Sequence, residues 1–257
     1  MGLLESVLKI NSEINPQSTI ERLTRQVQFF TCEVRALVSK KEDPIEKIKI
    51  LLWFLFEHKK FQVADGKENI SIDQVLVDEI LEKRKGLALP IAILFQAVSH
   101  EIGVKLDFVS CHGYRLLKII HKGKSFFVDI VDKKILSTEE LLALINRQKK
   151  ESVDKIMSMF EVSTPSQVLK GYLNTLKSTC EKHRLNRELL RIYDLILEYY
   201  PVSIKELGER ALLLKNFGED QLASMDLRRY FSFVSTDKAP KVLREIKIKP
   251  KLSVIDP

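Results

Sequence analysis

Apolar side chains recur every three or four residues over much of the first hundred positions, which is the period of an amphipathic helix. The first clear stripe consists of Ile20, Leu23, Val27, Phe30, Val34 and Leu37. A second helix begins at Asp43-Pro44 and is apolar nearly all round from Ile48 to Phe56. Because such a helix can bury every face, we expect it to lie in the centre of the core.

Turns and helices then alternate. Residues 60–71 break the period and predict a loop, and residues 72–81 predict the next helix. Pro90 to Ile102 forms another nearly all-apolar helix, and Gly103 stands where a helix-ending glycine belongs.

Three short runs rich in Val, Ile, Phe and Tyr follow at residues 104–110, 114–120 and 125–131. Lys122-Gly123 separates the last two runs and predicts a tight hairpin turn. The pattern therefore predicts one small antiparallel sheet at about residues 104–131.

From about residue 163 the pattern is helical again. A turn at Pro201 recurs 34 residues later at Ser235, which is the period of a tetratricopeptide helix pair, although ordinary helix packing gives a similar pattern. We predict a first domain over residues 1–160, a helical tetratricopeptide-like module over 161–240 and a basic tail over 241–257.

Composition narrows the possible functions. The chain has 257 residues, of which 45% are hydrophobic, and no apolar run approaches the ~20 residues that would span a membrane. Three separate cysteines give no disulfide framework, and no CxxC or HxxxH spacing is present to hold a metal or haem. We therefore expect a cytoplasmic protein with no cofactor.

The net charge of +7 comes from 42 Lys and Arg against 35 Asp and Glu. Most basic residues alternate with acidic ones, as solvated helix faces do. Aromatic residues do not interleave with basic ones as a base-stacking platform requires. Direct nucleic-acid binding is therefore not expected.

The segment from Glu79 to Ala92 joins a charged helix to an apolar one through Gly86. Thiol enzymes of the papain and transglutaminase type share this layout, with a cysteine at the start of the apolar helix and His and Asp on the strands that follow. Over nearly the whole chain the sequence resembles the bacterial SirB family. The matching segments are residues 75–76, 80–86, 91–95, 115–119, 126–130, 135–137, 209–213 and 223–227.

This resemblance implies an α+β fold. It comprises a mostly helical, papain-type transglutaminase-like domain with a small antiparallel sheet, followed by an all-α tetratricopeptide-like module. The resemblance does not imply activity, because Ala88 occupies the nucleophile position and Tyr114 takes the place of the family's histidine. Of the family's Asp-Pro-Phe motif only Asp129 matches.

The hairpin gives an independent test of this site. A two-residue turn at Lys122-Gly123 pairs His121 with Lys124. Continuing this register along the two strands makes Tyr114 and Asp129 diagonal neighbours about 7–8 Å apart. We therefore predict a relic cleft lined by Ala88, Tyr114 and Asp129. The alternative for Asp129 is a carboxylate that caps the turn at residues 132–134.

Cys111 and His112 form an alternative catalytic pair. Adjacent residues of a regular strand point to opposite faces, so this pair requires a bulge. A buried, unreactive Cys111 is the favoured interpretation.

The function that follows is a catalytically silent transglutaminase-like protein that binds another protein through its C-terminal helices, in a regulatory role. Two alternatives stay open. One is a cysteine-dependent hydrolase or acyltransferase that uses Cys111, and the other is a regulator whose basic surface binds nucleic acid.

Overall fold

The computed structural model describes residues 2–65, 69–111, 114–148 and 160–246, with the backbone alone at 110–111, 114–115 and 146–148. Contacts divide the chain into two units, Met1–Thr175 and Leu176–Pro257. The first unit combines helices with a small antiparallel sheet, and the described part of the second is helical. The fold is therefore α+β and mostly helical, as expected. No helix in the described ranges has the length and apolar character needed to cross a membrane.

Six helices of the first unit position its core. They are α1 (Leu3–Ile14), α2 (Ile20–Val38), α3 (Pro44–Trp53), α4 (Val77–Lys83), α5 (Ala88–Glu101) and α6 (Thr138–Gln148). Along α2 the predicted stripe is buried at Leu23, Val27 and Phe30, while Ile20 and Leu37 at its two ends are exposed. The hydrophobic period therefore identifies the buried face correctly.

Asp43 and Pro44 begin α3 as predicted. The Asp43 carboxylate accepts backbone N–H bonds from Ile45 at 2.7 Å and Glu46 at 3.3 Å, and proline occupies the first turn. These bonds satisfy backbone donors that have no partner inside the helix.

The apolar run after α3 is not a regular α-helix. It continues as a π-helical turn over Phe54–His58, in which the Lys59 N–H donates to the Phe54 carbonyl at 2.8 Å. Phe54 and Phe56 are buried as expected of a central helix, but Trp53 is 49% exposed.

Two further segments differ from the sequence pattern. Residues 60–71 contain the short strand β1 (Gln62–Val63), which pairs in parallel with β2 (Lys85–Gly86). Residues 72–81 contain a 3₁₀ turn (Ile72–Gln74) before α4, and Val75, with a φ of −111°, separates the two.

The antiparallel sheet has the strand order β6-β5-β4-β3-β7. Its strands are β3 (Asp107–Cys111), β4 (Tyr114–His121), β5 (Lys124–Asp129), β6 (Lys134–Ser137) and β7 (Glu161–Val162). The predicted hairpin is confirmed, because His121 pairs with Lys124 and both Lys122 and Gly123 have positive φ. The apolar runs do not predict the two edge strands β6 and β7.

One face of the sheet packs against α6. The buried cluster consists of Val109, Leu116, Phe127, Leu136, Leu141 and Ile145. This packing fixes the sheet that carries the candidate residues.

The C-terminal helices are α7 (Pro165–His183), α8 (Asn186–Tyr199), α9 (Ile204–Asn216), α10 (Asp220–Phe233) and α11 (Lys241–Arg244). Gly208 on α9 lies in close packing, since a Cβ there would lie 2.9 Å from Leu243 and 3.1 Å from Tyr230. Leu243 is buried although it lies in the predicted tail, and residues 247–257 of that tail lie outside the described residues. The tetratricopeptide-like pairing stays a prediction.

Candidate functional site

Ala88 is the first residue of α5, two positions after β2. Leu87 precedes the helix, and its N–H donates to the Gln74 carbonyl at 2.7 Å. The apolar helix therefore begins two residues before Pro90, where the sequence pattern places its start. A half-buried methyl group stands at the helix N-terminus.

The turn that presents Ala88 depends on one unusual backbone conformation, at Arg84, and on one close approach, at Gly86. Arg84 ends α4 in the left-handed region, with a φ of 58°. Gly86 is needed because a Cβ there would lie 2.4 and 2.5 Å from the Cδ1 and Cγ1 atoms of Ile80. Real Cβ atoms essentially never lie so close, so any other residue at this position would force the Ile80 side chain to shift.

The Arg84 side chain anchors the same turn. Its guanidinium carbon lies 4.8 Å from the ring centre of Phe30 and 5.0 Å from that of Phe61. Burial lowers the pKa of Arg84, and the nearby Glu33 partly offsets this effect. This packing was not evident from the sequence, where Arg84 looks like one more charge on a solvated helix.

Asp129 caps a turn. Its side chain is buried, and Oδ1 accepts backbone N–H bonds from Val131 at 2.9 Å and Asp132 at 3.1 Å. The pKa of Lys134 is raised, first by its hydrogen bond to Asp132 and to a lesser extent by Asp129. The turn-capping alternative therefore describes what one oxygen of this carboxylate does.

The structure leaves the remaining predicted site residues untested. Tyr114 and Cys111 are paired across β3 and β4, but their side chains lie outside the described part, as does all of His112. The Tyr114–Asp129 contact and the Cys111–His112 pair therefore remain predictions.

A hollow of about 240 Å³ lies next to the start of α5. Its lining residues are Leu89, Phe108, Val109, Ser163, Gln167, Val168 and Gly171. These side chains offer apolar contact and two neutral polar groups. The hollow can therefore hold a ligand by shape, but the described residues of its lining supply no acid or base.

The two cysteines with described side chains are remote from a helix start. Cys180 is buried near the end of α7, and burial, with Glu188 and Glu181, raises its pKa to about 12. Cys32 is exposed within α2. Neither has the helix N-terminal position that favours a thiolate.

A family model described as the transglutaminase-like superfamily matches residues 21–174, which is more than half of the chain. The chain belongs to the transglutaminase-like superfamily. Within it, the relatives place the chain in the bacterial SirB family, as the sequence resemblance predicts.

Three of these relatives illustrate the likeness. "UPF0162 protein" of Vibrio cholerae is 22% identical over 95% of this chain and 90% of its own length. "Protein SirB1" of Salmonella typhimurium is 21% identical over 88% of this chain and 87% of its own length. "UPF0162 protein YchA" of Escherichia coli is 20% identical over 95% of this chain and 89% of its own length. No solved structure matches the chain.

Proposed function

We propose that this SirB-family protein is catalytically silent and acts by binding another protein, in a regulatory role. Ala88 at the first residue of α5 is the observation that carries the proposal. A helix N-terminus stabilises a thiolate, but the methyl group of alanine provides no nucleophile there.

Two observations support this proposal. Asp129 uses Oδ1 to hold the turn after β5, and the described lining of the hollow at the start of α5 has no titratable side chain. Acyl transfer by a thiol needs a nucleophile and a base that are held in contact. Ala88 and the described residues that line the hollow provide neither.

A surface on α10 supports the binding role. Leu222, Met225 and Phe233 are 49%, 61% and 49% exposed, and their spacing of three and eight residues places them on one helix face. Arg229 lies on the same face and donates to the Pro201 carbonyl at 2.6 Å. Methionine, aromatic residues and arginine are enriched in protein interfaces, so this stripe is our proposed contact surface.

Catalytic silence is tested by site-resolved thiol labelling with iodoacetamide between pH 5 and 10, together with an amine-incorporation assay on a glutamine-containing protein. We expect no incorporation above the protein-free rate and, at Cys180, no labelling until the protein unfolds, because burial raises its pKa to about 12. Fast labelling of Cys111 at low pH, with an activity that Cys111→Ala abolishes, would establish the thiol-enzyme alternative instead.

The binding surface is tested by co-purification from a bacterial lysate. We expect a partner that is retained by the wild type and by Asn186→Asp but is lost with Met225→Glu. Asn186 is an exposed residue at the start of α8, on a different helix from the stripe, so it controls for the added charge. Equal loss with both variants would contradict the assignment of this face, and release by nuclease would indicate a nucleic-acid partner.

A further inference from the structure

A groove of about 360 Å³ runs between the end of α3 and the edge strand β6. Lys49, Leu52, Trp53, Phe56 and Glu57 line its helical side. Lys133, Lys134 and Ile135 line its other side. We call it the Trp53 groove. It is distinct from the hollow beside Ala88, because the two share no lining residue.

The π-helical turn shapes the helical wall. The backbone N–H of Lys59 donates to the Phe54 carbonyl at 2.8 Å, and that of Phe61 donates to the Leu55 carbonyl at 3.0 Å. The helix therefore widens where the groove begins. Such single π-turns are uncommon and occur frequently at functional sites. Here the turn accompanies a buried Phe56 and an exposed Trp53.

Trp53 offers a flat apolar surface to a ligand. It is 49% exposed, and its ring stacks on His58 with 5.5 Å between ring centres and an interplanar angle of 21°. This stacking restricts the indole. An indole that is already oriented loses little conformational freedom when a ligand packs on it.

The opposite wall is an open sheet edge. Within the described part of the chain, β6 pairs only with β5. The Ser137 N–H donates to the Glu140 carboxylate at 2.7 Å, so it faces away from β5. Because alternate residues of a strand direct their backbone groups to the same side, the backbone of Ile135 also faces this open edge.

The charge of the groove favours an acidic ligand. Its lining has three lysines and a single carboxylate, Glu57, and Lys133 Nζ lies 5.4 Å from the ring centre of Phe56. Lys49 pairs with Glu46 at 2.7 Å and Lys134 with Asp132 at 2.7 Å, but both pairs are exposed. Exposed pairs are weak, so an incoming carboxylate can compete for either lysine.

We infer that the Trp53 groove binds an extended, acidic peptide segment of a partner protein. The peptide backbone adds to β6, its carboxylates meet Lys133 and Lys134, and one apolar side chain packs on Trp53. Strand addition of this kind takes affinity from the backbone and specificity from alternate side chains. A nucleic acid also carries negative charge, but it has no peptide groups to pair with a sheet edge.

Trp53 is the only tryptophan in the chain, so its fluorescence reports on the groove directly. The probe is an acetylated and amidated hexapeptide that alternates Glu with Val or Phe, titrated to about 1 mM, the weak end of specific affinities. We expect a saturable blue shift that weakens with added salt. A peptide with Gln in place of Glu, or with N-methyl groups on alternate amides, is expected to bind at least ten-fold more weakly.

Lysine variants test whether the peptide binds in the Trp53 groove. Lys134→Glu is expected to raise the Kd about ten-fold. Lys133→Asn should raise it several-fold, and asparagine tolerates the left-handed backbone at this position, where φ is 56°. Lys105→Glu is the control, since Lys105 is also an exposed lysine paired to an aspartate two residues away, yet does not line the groove. It should change the Kd less than two-fold.

Three results would overturn the inference: no saturable shift, equal binding of the Glu and Gln peptides, or equal effects of Lys134→Glu and Lys105→Glu. A shift produced by a single-stranded oligonucleotide and not by the peptide would also overturn it. The inference rests on the proposed binding role but not on Ala88 or α10. Its failure would therefore leave the thiol-labelling and co-purification outcomes unchanged.

Discussion

Asp78→Ala is the substitution that we expect to destabilise the first unit most clearly. Asp78 lies on α4 with a buried side chain. Its Oδ1 accepts from Asn11 Nδ2 at 2.7 Å, and its Oδ2 accepts from Asn15 Nδ2 at 2.7 Å and from Ser18 Oγ at 2.6 Å. One carboxyl group thus joins α4 to α1 and to the turn after it.

The expected magnitude follows from the donors that lose their acceptor. Asn11 and Ser18 are buried, and a buried donor without a partner costs about 1–3 kcal/mol. Asn15 is half-buried and can reach water, so its contribution is smaller. We therefore expect Asp78→Ala to lower the free energy of unfolding by about 3–5 kcal/mol, a large part of the ~5–15 kcal/mol of a typical domain.

The assay is urea unfolding followed by the fluorescence of Trp53, which lies in the same unit as Asp78. Glu79→Ala is the matched control, since the adjacent Glu79 makes only a partly exposed pair with Lys83 at 2.8 Å. We expect this control to change the free energy by less than ~0.5 kcal/mol. Because Ser18→Ala removes one of the orphaned donors, its effect in the Asp78→Ala background should be smaller than in the wild type. A loss below ~1 kcal/mol, or one no larger than that of Glu79→Ala, would refute the reasoning.

Three further substitutions test other parts of the structure. Arg210→Met should destabilise the second unit by about 3–4 kcal/mol, because Arg210 holds the buried Asp226 through two hydrogen bonds of 2.7 Å. Unfolding is followed by circular dichroism. The control Lys241→Met breaks only an exposed ion pair and should leave the stability unchanged. Gly86→Ala should lower the free energy of unfolding by about 1–3 kcal/mol, because the added Cβ contacts Ile80. Adding Ile80→Val to this variant should recover part of the loss. If the effects of the two substitutions simply add, the proposed clash is contradicted. In Ala88→Cys the new thiol should have a pKa about half a unit below the ordinary thiol value, because the helix dipole contributes ~0.3–1 kcal/mol at the start of α5. The control is Ala97→Cys, near the other end of α5, where the thiol pKa should not be lowered. Equal rates of alkylation of the two thiols would argue against the dipole effect.

The pattern of apolar and turn-forming residues predicts those parts of the fold that a few neighbouring residues determine. The stripe along α2 and the Lys122-Gly123 hairpin are both confirmed, because an apolar period and a glycine-containing turn act over a few residues. The strands β6 and β7 are not predicted, since a strand of four or two residues is defined by its neighbour rather than by its own sequence. The π-turn at Phe54–His58 is equally invisible, because a continuous apolar run fits either helix.

The polar network around Asp78 shows the same limit. In the sequence Asp78 stands between Val77 and Glu79, with no sign of a partner. Its partners lie 60 to 67 residues away, and Tyr172 reaches the same network by donating to Asn11 Oδ1 at 2.8 Å. Burial raises the pKa of Tyr172 well above its usual value, so the hydroxyl keeps the proton that it donates. Such contacts are set by the packed core and not by spacing along the chain.

Retention of the transglutaminase-like frame does not by itself argue for activity. Gly86 leaves room for the Ile80 side chain, Arg84 packs against the rings of Phe30 and Phe61, and Asp129 holds the turn after its strand. Each of these residues thus has a structural role that is independent of chemistry at Ala88. Replacing any of them would destabilise the turn or the sheet whether or not the protein has an activity. The diagnostic position is therefore Ala88 itself, the half-buried first residue of α5.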